Sequence, residues 1–166
     1  MGKGKLYEVE LTAKEIAPGE FEFDPKTDLK HSKGKSGIAQ FVFNKKDDKM
    51  PKDDCYLIQF VLVNGDKVGL RFPYRVEDAM WVCRAPDELS AEEGCPKEPC
   101  YIDEMKGLAV LGDHTLLAVN KDSKTEFVVF TLNFVKQGFS DTDKDNYVPW
   151  DPIGNNQDGG WPFVDQ

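Results

Sequence analysis

The chain has 166 residues, enough for one ordinary domain with a real hydrophobic core. Its formal charge of -9 argues against a nucleic-acid partner, because phosphate binding needs a basic surface. No apolar run reaches the length of a membrane span and the first residues lack a signal-peptide stretch, so the expected setting is the cytoplasm; export by a dedicated machine would leave no such mark.

Residues 5–11 place Tyr7, Val9 and Leu11 on one face of a strand, and Phe21 and Phe23 do the same for 20–24. The stretch 24–37 is rich in Lys, Ser and Gly and reads as a loop opened by a turn at Asp24-Pro25. Residues 38–43 form an apolar strand, and the charged run 44–54 reads as a flexible connection. Tyr56, Ile58, Phe60 and Leu62 alternate along 55–63. Asn64-Gly65 signals a type I′ hairpin turn, which needs positive φ at both central residues, with 68–72 as the returning strand. A strand over 77–84 carries Met80, Trp81 and Val82, and 87–93 is the one passable helix. A hairpin follows, 107–111 and 114–120, turning across Gly112-Asp113. Lys121-Asp122-Ser123-Lys124 then turns into the longest strand, 125–136. Many short strands at this spacing predict an all-β, single-domain antiparallel β-sandwich over 1–152. A C-terminal tail, 153–166, follows, whose Trp161, Pro162 and Phe163 are expected to dock on something.

Cys55 and Cys83 fall in strand-like runs and read as core thiols. Cys95 and Cys100, spaced C-x4-C in a loop, match zinc ligand patterns poorly, and a cytosolic chain would keep both reduced. His31 and His114 are the only histidines; His114 follows Asp113 and reads as a turn residue rather than a catalytic base. No G-x-S-x-G elbow, P-loop or G-x-G-x-x-G occurs, so these routes to hydrolase or nucleotide chemistry have no support. The pairs Asp47-Asp48 and Asp53-Asp54 lack the glycine and terminal glutamate of an EF-hand loop and read as solvated loop charge. Neither a metal nor a cofactor is expected.

The chemically pointed feature is the Asp151-Pro152 bond in Tyr147-Val148-Pro149-Trp150-Asp151-Pro152-Ile153. An aspartate carboxylate can attack the carbonyl of its own residue through a five-membered ring and release the tertiary amide nitrogen of proline. A neutral amine nearby would capture the anhydride as an isopeptide. Alternation along the preceding strand puts Val128, Phe130, Leu132, Phe134 and then Lys136 on one face. If that face looks into the core, Lys136 extends a core row, and burial lowers its pKa toward a nucleophilic range. The plainer alternative is that Lys136 snorkels to water at the strand end.

The strand 127–135, the charged turn after it, and Asp151-Pro152-Ile153 followed by Asn155-Asn156 resemble the DP-EP family of self-cleaving, self-assembling endopeptidases. The resemblance is confined to the C-terminal part of the chain, which is long for that family and carries a cysteine-bearing insertion. It implies a small β-sandwich cut between Asp151 and Pro152, with Asp151 then linked to a lysine side chain. Lys136 is the candidate for that lysine, and Asp113 and Asp78 are candidates for a water-activating acid. The function expected is self-processing at Asp151-Pro152. The alternative is a non-enzymatic β-sandwich subunit that assembles with copies of itself by strand or tail exchange, with Asp151-Pro152 as a kink. A third reading is a small-ligand or carbohydrate binder stacking on Trp81, Trp150 and Trp161.

Overall fold

The computed structural model describes residues 3–33, 37–94 and 99–157. One sheet has the order β2 (Glu20–Thr27), β1 (Gly4–Ala17), β5 (Cys55–Leu62), β9 (Thr115–Asn120), β8 (Met105–Gly112). The second sheet is organised around β10 (Glu126–Lys136). One side of β10 pairs with β7 (Met80–Ala85) and β6 (Leu70–Arg71). Its other side pairs with β11 (Tyr147–Trp150) and β12 (Ile153–Gln157). Beyond β12 lie β4 (Ala39–Asn44) and β3 (His31–Lys33). Short helical turns α1 (Gly65–Val68), α2 (Val76–Ala79) and α3 (Glu88–Glu92) connect the strands.

The inner faces of the two sheets share one core. Phe60 of β5 lies 5.8 Å from Phe130 of β10, and Trp150 meets Phe130 edge-on at 6.3 Å. The alternation expected along β10 holds: Val128, Phe130, Leu132 and Phe134 are all fully buried. So is most of its other face, because β10 is the central strand and is covered on both sides.

The all-β class is therefore the fold of this chain, but its sheets are mixed rather than purely antiparallel. β1 runs parallel to β5, and β12 runs parallel to β4. Each parallel pair is joined through the opposite sheet, since between β1 and β5 the chain visits β3 and β4. Residues 153–157, expected in a tail, form β12 inside the second sheet. Trp161, Pro162 and Phe163 lie outside the described residues, as does Cys95.

Other local expectations also change. Asn64-Gly65 starts α1 instead of a hairpin, because the Asn64 side chain is used elsewhere: it accepts from the Ala13 amide at 2.9 Å and donates to the Ala13 carbonyl at 2.8 Å. The following strand, β6, crosses to the other sheet and pairs with β10. Asp24-Pro25 lies within β2, an edge strand where a missing N–H faces no partner. Residues 76–79 are helical and β7 begins only at Met80. The helix expected over 87–93 is present as α3, capped by Asp87, whose side chain accepts from the Ser90 amide. The β8–β9 hairpin turns across Gly112-Asp113 as expected, with Gly112 at φ 147°.

Candidate functional site

β11 and β12 pair with β10 in a single register, Leu132 opposite Trp150 and Val129 opposite Ile153. Thr131 therefore faces Asp151, and Phe130 faces Pro152. The Phe130 amide donates to the Pro152 carbonyl at 3.2 Å, but Pro152 has no N–H with which to return a bond. Asp151 is exposed, while Trp150, Pro152 and Ile153 are buried. On the outer face of the sheet, Thr131 Oγ1 donates to Asp151 Oδ1 at 2.5 Å. The junction is a kink within one line of strand, pinned by β10 before and after it.

The structure does not bring Lys136 to this junction. Lys136 pairs with Leu70 at the far end of β10, about 17 Å along the strand from Thr131 at ~3.4 Å per residue. Its side chain leaves from the face opposite to that of Thr131. The Nζ reaches toward the β1–β2 turn, 3.9 Å from the position a Cβ on Gly19 would take. The core row ends before Lys136, which is half-buried and snorkels along the end of the sheet. Asp113 is also elsewhere: it is exposed in the β8–β9 turn of the other sheet, where its carbonyl accepts from the Phe72 amide. Asp78, on α2, comes nearer, because its carbonyl accepts from Asn133 Nδ2 at 2.9 Å. Burial raises the pKa of the Asp78 carboxyl above the ordinary aspartate value.

Asp151 opens instead onto a cleft of about 520 Å³ on the outer face of the second sheet. Thr131 and Asn133 come from β10, Tyr147 and Pro149 from β11, and Trp81 from β7. Glu93 and Gly94 follow α3, and Lys144 and Asp145 sit on a 3₁₀ turn. Trp81 Nε1 donates to the Glu77 carbonyl at 2.9 Å, and its ring lies 5.8 Å from that of Tyr147. Tyr147 donates its hydroxyl to the Asp141 carbonyl at 2.7 Å. Burial, reinforced by Asp78, Asp141 and Asp143, pushes the Tyr147 phenol up to about 12, so it is neutral at pH 7. Trp150, by contrast, is a core residue, packed edge-on among Phe41, Phe60 and Phe130.

Among the described residues the buried lysine is Lys45, 1% exposed, in a stretch expected to be flexible. It continues the inward row Ala39, Phe41, Phe43 of β4, and its Nζ donates to the Lys52 carbonyl at 2.7 Å. Burial lowers its pKa, opposed by the charges of Asp122 and Glu104. Both carboxylates are buried, and Glu104 accepts from the Ser123 amide and hydroxyl and the Lys124 amide. Beside them, Asn120 at the end of β9 and Asn156 of β12 exchange two amide hydrogen bonds. Among the described residues no group of three or more His, Cys, Asp or Glu side chains is arranged to hold a metal ion, and no helix is long and apolar enough to cross a membrane. No protein-family model and no curated protein matches this sequence.

Proposed function

We propose that the protein is a non-catalytic β-sandwich subunit that assembles with copies of itself by exchanging its C-terminal segment. The observation that carries this reading is the position of β12. A five-residue strand near the C-terminal end fills the slot between β10 and β4, and the chain enters it through Asp151-Pro152. Such a strand makes the same ladder bonds in a neighbour's sheet as in its own, so exchange costs little beyond association itself. Pro152 removes one donor at the entry point, which makes the junction the weakest link in the β11–β12 line. Specific side-chain bonds fix where the strand must dock: Asn156 with Asn120, and Gln157 Oε1 with Asn44 Nδ2 at 3.2 Å. Linkage of Asp151 to Lys136 is disfavoured, because Lys136 lies opposite Leu70 at the far end of β10.

Size-exclusion chromatography with light scattering tests the reading. The full chain is expected to give oligomers that grow with protein concentration and persist in Asp151→Ala. Deleting 153–166 should abolish them. A full chain that stays monomeric after refolding at high concentration would overturn the proposal.

A further inference from the structure

The cleft beside Asp151 carries a second proposal, independent of self-assembly. We infer that it binds a neutral polyol the size of a sugar ring. Its volume of about 520 Å³ falls within the roughly 300–1,000 Å³ of small-molecule sites. The walls differ in chemistry. Tyr147 and Pro149 give an apolar side, with the nearly buried Trp81 ring behind Tyr147, against which the C–H face of a pyranose packs. Asp145 and Asp151 give a polar side, over a floor of the buried Thr131 and Asn133. Sugar hydroxyls donate and accept at once, and donation to a carboxylate is the stronger kind of hydrogen bond.

Charge narrows the ligand class. Three carboxylates, Glu93, Asp145 and Asp151, face one ammonium, Lys144, so the cleft repels phosphates and organic acids. A purely apolar ligand would bury those carboxylates without partners. The site is also held in shape before any ligand arrives. Thr131 fixes Asp151, the Glu77 carbonyl fixes Trp81, and the Asp141 carbonyl fixes Tyr147. Groups ordered by the fold cost less to engage than groups ordered by the ligand.

Saturation-transfer NMR on the full-length protein tests this, with the methyl glycosides of glucose, galactose, mannose and N-acetylglucosamine as probes. Inorganic phosphate and calcium chloride serve as competing probes. At least one glycoside is expected to bind with a dissociation constant on the order of 0.1–5 mM. Tyr147→Ala and Asp151→Asn should each weaken it about tenfold or more while the circular dichroism spectrum is unchanged. Glu10→Gln, on β1 of the other sheet, should leave it unchanged. No transfer from any glycoside at about 20 mM overturns the proposal. So does binding that survives both cleft variants, or competition by phosphate or calcium alone.

Discussion

Asn120 and Asn156 lock β9 to β12 by reciprocal amide bonds of 2.8 and 2.9 Å, in a place fully sealed from solvent. This pair joins the two sheets at the segment that follows Asp151-Pro152. Replacing either residue with alanine strands the other amide without its partner, and should cost about 2–3 kcal/mol of stability. The double variant should cost clearly less than the sum of the two, because neither amide is left facing a missing partner; the loss that remains includes the bond of the Asp122 amide, which donates to Asn120 Oδ1 at 3.0 Å. Urea unfolding of the four proteins measures this, and additive losses would show that the pair is not coupled.

Lys45 and Tyr56 predict opposite pH responses on the alkaline side. Burial holds the folded pKa of Lys45 below 10.5, against the pull of Asp122 and Glu104. Between that folded value and 10.5 the unfolded chain binds the extra proton, so this contribution is full above 10.5 and lost as pH falls through the folded pKa. Tyr56 runs the other way. Burial, together with the bond its hydroxyl donates to Asp48, raises its folded pKa well above 10.0. Its contribution is full below about pH 10 and is lost as pH rises toward the folded value. Urea midpoints between pH 8 and 11.5 should therefore rise less with pH in Lys45→Met and fall less above pH 10 in Tyr56→Phe. Each variant also loses a buried hydrogen bond, costing about 1–3 kcal/mol at pH 7.

At the Asp-Pro junction the account predicts an unbroken chain. Intact mass spectrometry should show one full-length species before and after mild heating at neutral pH. Proteolytic mapping should find no link between Lys136 and Asp151. Thr131→Val removes the hydroxyl that Asp151 accepts from and should cost about 0.5–1.5 kcal/mol. A fragment ending at Asp151 would contradict the non-catalytic reading.

Gly65 is predicted to be intolerant of any side chain. A Cβ there would lie 2.0 Å from the His114 ring, which is itself wedged beneath α1. Gly65→Ala should therefore cost about 2 kcal/mol or more, read as a lowered thermal midpoint. A neutral substitution would mean that His114 can move aside.

Much of the strand layout was legible because alternation reports which residues share a face. The row Val128, Phe130, Leu132, Phe134 came directly from that signal, and the turn at Gly112-Asp113 from the glycine between two strand-like runs. Alternation says nothing about which strand lies beside which, so the parallel pairs β1–β5 and β4–β12 were invisible. Nor does it say where the opposing sheet ends. Lys45 and Lys136 each continue an apolar row, yet only Lys45 is enclosed. Asn64-Gly65 misled because a side chain that binds a distant backbone overrides the local turn preference. Within the cleft, the signal that went unread was Thr131 and Asn133, two polar residues on the outer row of an otherwise apolar strand. Trp81 and Tyr147 join them only through the pairing of β7 and β11 with β10.

The most direct test of the central claim traps the exchanged strand. The native cysteines are replaced by serine, and two differently tagged chains are refolded together, one carrying Asn120→Cys and the other Asn156→Cys. Exchange of the C-terminal segment places those thiols against each other across two copies, and the account predicts a covalent dimer bearing both tags. If oxidation leaves only monomers, β12 stays in its own sheet and the assembly reading is contradicted.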